Sequence, residues 1–304
     1  MDFKINHFVT VGTSLPRNFI TVLGKCYDYP EECPLTIDRD DIRSHMDTLD
    51  RCLRIPPGSP SEIECISLLS GWSRLHDHLL EALSWDPKRM SAELNAMSPW
   101  IEYAERRDPA YVSTIHLYIT ESGSGILSGR ILVEYLKKRL PNAKIESRII
   151  TGMRENIWLA LRNLALKLGK DLSSVLKHDN STENIILLNL TGGLKPEGAV
   201  ALLEVARRTM NNAIAYYIHE VHRRPTPIPI IISSRQILQA KKLITPRIYN
   251  AGEYVEIPLA ELDDDTRWLH YFAVAVEPLG LAKKTKEKIL LATDIARMIT
   301  QLEE

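Results

Sequence analysis

Residues 184–190, Asn184-Ile185-Ile186-Leu187-Leu188-Asn189-Leu190, are apolar at almost every position, and this run most constrains the fold. A strand with one wet face alternates apolar and polar residues. A run apolar at successive positions needs cover on both faces, as in the middle of a parallel sheet. The surrounding sequence supplies that sheet. Residues 114–120 and 144–150 are strand-like, and 125–139, 155–168 and 195–210 carry helical spacing. Residues 7–11 form a further short apolar run ending at Gly12. Strand–helix–strand repetition predicts an α/β fold: a Rossmann-like, mostly parallel sheet with helices on both faces. Residues 213–218 and 228–232 are strand-like with no helix between them, so they predict an antiparallel hairpin at one edge.

Two segments stand outside the alternation. Residues 24–112 form a helical insertion, with helices expected at 40–53, 61–84 and 88–106, punctuated by Pro56-Pro57-Gly58 and Asp86-Pro87. After Lys242 the pattern stops. The expected division is a domain at 1–242 and a small C-terminal domain or dimer-clasping appendage at 243–304. In the latter, a short strand pair or loop is expected at 249–258 and helices at 265–276 and 283–302.

The chemistry concentrates in two loops. Gly12-Thr13-Ser14-Leu15-Pro16-Arg17 follows the first strand, and Thr191-Gly192-Gly193-Leu194-Lys195-Pro196-Glu197 follows the 184–190 strand. Both emerge at the carboxyl edge of a parallel sheet, where such folds place ligands. Backbone N–H groups, small hydroxyls, Arg17 and Lys195 are equipment for holding phosphate without a metal. The second loop is not a Walker A loop, because Pro196 follows the lysine. Arg154 and Asn156 sit in another carboxyl-edge loop; Asn156 suits either an adenine edge or a helix cap. Gly123-Ser124-Gly125-Ile126-Leu127-Ser128-Gly129 approaches the dinucleotide fingerprint, but its third glycine is one residue late. No acid ends the next strand, so the better reading is a tight turn that lets a nucleotide approach the backbone.

The pair of loops, Gly12-Thr13-Ser14 with Thr191 through Glu197, resembles the CARF proteins, CRISPR-associated Rossmann-fold sensors of cyclic oligoadenylate. The resemblance is nearest to the CARF ring nucleases, which linearise cyclic tetra-adenylate. It covers about residues 1–242, interrupted by the insertion. It implies a homodimer with cyclic tetra-adenylate lying across the two-fold axis; a cytoplasmic location is expected from the lack of membrane-span and signal-peptide patterns. It also implies metal-independent attack of a ribose 2′-hydroxyl on its own 3′-phosphate, which would switch off type III CRISPR signalling in antiviral defence. By that resemblance Ser14 and Lys195 are the catalytic pair. Gly12, Thr13, Arg17, Ser122, Arg154, Asn156, Thr191, Gly192 and Gly193 bind the ring, and no cofactor is needed. The alternative is a non-catalytic sensor acting on DNA or protein through the C-terminal domain. A third, weaker reading is an unrelated nucleotide-binding Rossmann enzyme that retains NAD.

Composition and charge remove other classes. No apolar run approaches the ~20 residues of a membrane span, and the N-terminus lacks the basic and apolar regions of a signal peptide. A formal net charge of −1 gives no general case for duplex binding. Residues 243–304 hold seven Lys and Arg against eleven Asp and Glu, a net of −4, which argues against a DNA-binding winged helix there. Lys283, Lys284, Lys286 and Lys288 read as one face of a solvated helix. Cys26, Cys33, Cys52 and Cys65 lack zinc-ligand spacing. They read as buried thiols, with disulfides reserved for a hyperthermophilic source. Arg39 and His45 have the loose spacing of a HEPN ribonuclease pair but stand in the wrong part of the chain. His76 and His78 face different sides of a helix and read as surface residues. No cluster of acids or histidines suggests a metal nuclease.

Overall fold

The computed structural model describes the chain except residues 1, 57–58, 72, 154, 178–181, 193–194, 210–211, 219–223, 231–232 and 302–304. Strand β1 (Asp2–Val11) leads into helix α1 (Ser14–Asp28). The insertion follows as α2 (Arg39–Arg54), α3 (Pro60–Gly71), α4 (Ser73–Trp85), α5 (Pro87–Met90) and α6 (Ala92–Arg106). The alternation resumes with β2 (Val112–Thr120), α7 (Gly123–Arg139), β3 (Lys144–Ile150), α8 (Ile157–Leu176), β4 (Thr182–Asn189), α9 (Lys195–Arg208), β5 (Ala213–Ile218) and β6 (Pro225–Pro229). The chain ends with α10 (Ser234–Ile248), β7 (Tyr254–Pro258), α11 (Trp268–Val276), β8 (Ala282–Lys284), β9 (Lys288–Ala292) and α12 (Thr293–Gln301).

The large sheet has the order β3-β2-β1-β4-β5-β6, parallel except for β6. This is the Rossmann order, and its topological switch point lies between β1 and β4. Pro225, Pro227 and Pro229 confine β6 to the edge, since proline cannot donate to a ladder. The expected strand at 228–232 begins three residues earlier than the sequence suggests, and its last two positions lie outside the described residues.

Strand β4 is covered on both faces. Ile185 and Leu187 belong to the large core that also holds α1, α6, α7 and α11; Ile186 and Leu188 pack under α8 and α9. The large core is continuous through the insertion and the C-terminal part. Trp100 on α6 is fully buried and donates its indole N–H to the Ala275 carbonyl at 2.7 Å. The Tyr111 hydroxyl donates to the Val274 carbonyl, also at 2.7 Å. Helix α11 is therefore apolar almost all round because it is clamped between the sheet and the insertion.

Several expectations change. The expected helix at 88–106 is interrupted at Ser91, whose extended backbone and hydroxyl cap α6 by accepting from the Leu94 N–H. Helix α10, unassigned in the sequence, runs across residues 242 and 243 and packs on β7 and α12. The expected helix at 283–302 is instead the β8–β9 hairpin followed by α12. Ile289 and Leu291 are both fully buried, a period of two that overrides the helical spacing of the lysines. Lys283 then lies over the Tyr254 ring, Lys284 over the Phe3 ring, and Lys288 pairs with Glu256 across the sheet.

The cysteines are not thiols. Cys26 bonds to Cys33 and Cys52 to Cys65. A short 3-10 turn at Pro30–Glu32 folds Cys33 back onto the end of α1, and the second bridge joins α2 to α3.

Candidate functional site at the carboxyl edge

Loops leave β1 and β4 side by side, because these strands pair in register from Asp2↔Thr182 to Val9↔Asn189. The Thr10 hydroxyl donates to the Gly192 carbonyl at 2.7 Å, tying the two loops together. The Asn189 side chain accepts from the Thr191 N–H at 2.9 Å, and the Thr191 hydroxyl accepts from the Ile218 N–H at 3.1 Å. In the first turn of α9, buried Glu197 accepts from the Thr120 hydroxyl, pinning that turn to the end of β2. Lys195 opens the same helix and is exposed.

Between the loops lies a residue that the motifs did not reveal. Glu93, in the first turn of α6, is 2 % exposed. One carboxylate oxygen accepts from the Gly12 N–H at 2.9 Å. The other accepts from the hydroxyls of Ser14 and Ser91, each at 2.8 Å. Its backbone carbonyl accepts from the Asn189 amide at 3.2 Å. Three donors, with the positive ends of α1 and α6, offset the desolvation of this carboxylate. Glycine at 192 is required by contact: a Cβ there would stand 2.3 Å from a Glu93 carboxylate oxygen and 2.5 Å from the Thr10 carbonyl. Nothing near Glu93 in sequence announces this role, since an acid in a helix's first turn is ordinary.

The other predicted residues are dispersed. Thr13 is the N-cap of α1 without a side-chain cap bond, and Arg17 is exposed one turn on. Ser122 caps α7, accepting from the Gly125 N–H at 3.0 Å. Asn156 takes the cap option, accepting from the Trp158 N–H at 2.8 Å. It follows β3, three strand positions from β4, or roughly 14 Å at the usual ~4.8 Å inter-strand spacing. Arg154 and Gly193 lie outside the described residues.

The glycine-rich turn is corrected in its purpose. Buried Glu62 on α3 accepts from the Gly123 N–H, and a Cβ at Gly123 would meet the Cys65 backbone at 3.1 Å. The chain's own insertion, not a nucleotide, approaches that backbone. Gly125 makes the turn tight, its Cβ position 2.6 Å from the Thr120 carbonyl. Gly129 lets α7 sit on Ile119. The insertion thus delivers two buried carboxylates, Glu62 and Glu93, to two backbone N–H groups at the carboxyl edge.

The histidines also regroup. The Nε2 of buried His45 is 2.9 Å from the His78 Nδ1, so His78 is not a simple surface residue. Burial first, and His78 second, push the His45 pKa down to about 4. Arg39 points away, to the Tyr27 carbonyl and ring, so no HEPN-like pair forms. His7 lies in the middle of β1 against Trp100 and Tyr216, its Nδ1 3.0 Å from the Tyr216 hydroxyl, and burial pushes it down to about 3.

Among the described residues, His116, Glu146 and Asp171 bring donor atoms within 4.8 Å of one another, a cluster unseen in the sequence because it spans β2, β3 and α8. Burial lowers the His116 pKa against the opposing pull of Asp171 and Glu146. Arg148 already spans the two carboxylates, at 2.9 and 3.4 Å. His116 lies four residues before Thr120, about 13 Å down the strand at ~3.3 Å per residue. A cavity of about 860 Å³ also lies elsewhere: it runs along α6 and the β8–β9 hairpin, lined by Lys88, Arg106, Arg107, Lys283 and Lys284 among others.

Fold and loops together define a Rossmann-like domain whose β1 and β4 loops meet at its switch point. Residues 88–231 match the family model of a CRISPR-associated protein (Cas_APE2256), a stretch that includes Glu93, Ser122, Asn156, Thr191 and Lys195. That match supports an association with CRISPR systems. No curated protein matches the chain. Among the described residues no helix is long and apolar enough to cross a membrane.

Proposed function

We propose that the protein is a homodimeric ring nuclease that linearises cyclic tetra-adenylate and so ends CRISPR signalling. The observation that carries this reading is the tying of the Gly12–Ser14 and Thr191–Gly192 loops at the β1/β4 switch point through Thr10 and Glu93. The CRISPR-associated family match and the CARF-like loop pair supply the substrate class. In the reaction, a ribose 2′-oxygen bonds to its own 3′-phosphorus as the bond to the 5′-oxygen breaks. The 2′ proton passes to water, and the departing 5′-oxygen takes one up. The protein's part is to hold the in-line angle and stabilise charge at phosphorus. Ser14 orients the reacting group and Lys195 stabilises the developing charge. Thr13, Arg17 and Thr191 hold the ring from the same loops, with Gly12 and Gly193 giving close approach, while Gly192 makes room for Glu93 and the Thr10 carbonyl. Arg154 serves a flanking nucleotide, while Ser122 and Asn156 shape that edge as helix caps.

The test is incubation of labelled cyclic tetra-adenylate with protein and EDTA, followed by separation of ring and linear products. Opening to a 2′,3′-cyclic phosphate is expected, and Lys195→Ala should slow it by about 100-fold or more, as for loss of an oxyanion donor. Loss with EDTA and rescue by Mn²⁺ would move the chemistry to the trio of His116, Glu146 and Asp171. One observation favours the sensor reading: α11 packs directly on β4 and β5, coupling the Thr191 loop's strand to the C-terminal part. Tight binding with no opening would establish that reading. DNA contact through α11 is disfavoured in either case, because that helix is buried.

A further inference from the structure

The hydrogen-bonding capacity of Ser14 is nearly used up, and what is left has one sense only. A serine hydroxyl has one proton to donate and two lone pairs. An ionised carboxylate only accepts, so the 2.8 Å contact between Ser14 Oγ and Glu93 commits the serine's proton to Glu93. The Ala92 N–H donates to Ser14 Oγ at 3.2 Å and takes one lone pair. One lone pair remains, on a half-buried side chain at the mouth of the β1 loop. In this state Ser14 cannot donate to a phosphate oxygen. It can only accept, and the donor that a ribose offers beside a phosphate is a hydroxyl.

Resting on the ring-nuclease reading, we infer that Glu93 is a positioning residue that makes Ser14 a hydrogen-bond acceptor for the attacking 2′-hydroxyl of the ring. The arrangement is enforced from several sides. Glu93 cannot swing away without stranding the Gly12 N–H and the Ser91 hydroxyl, and Gly192 closes over it. The insertion therefore carries a part of the site: α6 brings both Glu93 and the Ala92 N–H to Ser14.

Glu93→Gln tests this with almost no change of shape. The Gly12 N–H requires an acceptor, so the introduced amide turns its oxygen there and its NH₂ toward Ser14 and Ser91. Ser14 then receives two donors, and its own proton is released to point outward. The serine is inverted from acceptor to donor. Binding of cyclic tetra-adenylate and of its all-2′-deoxy analogue is measured, together with single-turnover opening of the natural ring. Wild-type protein should prefer the natural ring by about 3–10-fold, the value of one hydrogen bond. Ser14→Ala should abolish that preference, whereas Glu93→Gln should keep much of it, since a ribose hydroxyl also accepts. Glu93→Gln should slow opening 10–100-fold, and the double variant should open the ring no more slowly than Ser14→Ala alone. A wild-type rate of opening in Glu93→Gln overturns the inference. If Glu93→Gln fails to fold, the comparison of wild type with Ser14→Ala decides it: a wild-type preference near one overturns the inference even when ring opening is real. If the wild-type protein binds without opening, the nuclease reading fails while the affinity ratio still judges the role of Ser14.

Discussion

At the scale of single residues, the site is organised by contact rather than by motif. Gly192 illustrates this. A Cβ there would meet a carboxylate oxygen of Glu93 and the Thr10 carbonyl, and the latter is backbone that cannot step aside. Gly192→Ala should therefore cost about 1–3 kcal/mol, the usual range for overpacking, and should displace Glu93 from Gly12 and Ser14. A denaturant midpoint unchanged in this variant would show that the two loops are less tightly joined than described. The sequence identified Gly192 as one glycine of a phosphate loop. Its neighbour across the site was hidden, because Glu93 stands 79 residues from Ser14.

Elements of the insertion act as braces. Helix α3 presents Glu62 to the Gly123 N–H, and the Cys52–Cys65 bridge holds α3 to the end of α2. The bridged positions are 7 residues apart for Cys26–Cys33 and 13 for Cys52–Cys65. In the chain-entropy account, loops of that length contribute about 2–3 kcal/mol each. Replacing Cys52 and Cys65 together by serine should lower the unfolding free energy by roughly that amount. It should also speed hydrogen exchange at the start of α7, where Glu62 holds Gly123. Equal stability with and without a strong reductant would deny both bridges a structural role. The thiol reading failed for a plain reason: pairing depends on which helix ends meet, and spacing along the chain does not encode that.

Across the whole molecule, the common core joins the sheet, insertion and C-terminal part, and it holds histidines in neutral form. His7 has a folded pKa of about 3, and His45 and His270 of about 4, each lowered first by burial. In the unfolded chain such groups titrate near 6.5. Between these values the unfolded state binds more protons, so stability rises with pH. The contribution is complete above about pH 6.5 and is lost as pH falls toward 4. His7, fully buried, accounts for up to ~1.4 kcal/mol per pH unit in that window. Urea titrations from pH 4.5 to 7.5 should show this slope, and His7→Gln should reduce it by about one proton. A flat profile in the wild-type protein would mean that His7 is not buried as described.

What the sequence determined by itself was the class of fold and the sheet edge at which its two glycine-containing loops emerge. The apolar run at 184–190 and the alternation around it are local patterns with periods of 2 and 3.6, and local hydrogen bonding obeys them. Gly12-Thr13-Ser14 and Thr191-Gly192 were legible for the same reason, since a loop after a parallel strand must surface at the carboxyl edge. Tertiary structure alone decided the rest. It brought Glu93 and Glu62 into that edge from the insertion, assembled His116, Glu146 and Asp171 from three elements, and paired the cysteines. It also turned the lysine stripe at 283–288 into a hairpin, because Ile289 and Leu291 could then enter the core on alternate positions. Each of these depends on which surfaces meet when apolar faces are buried. That choice is made among residues tens of positions apart, and no period along the chain records it.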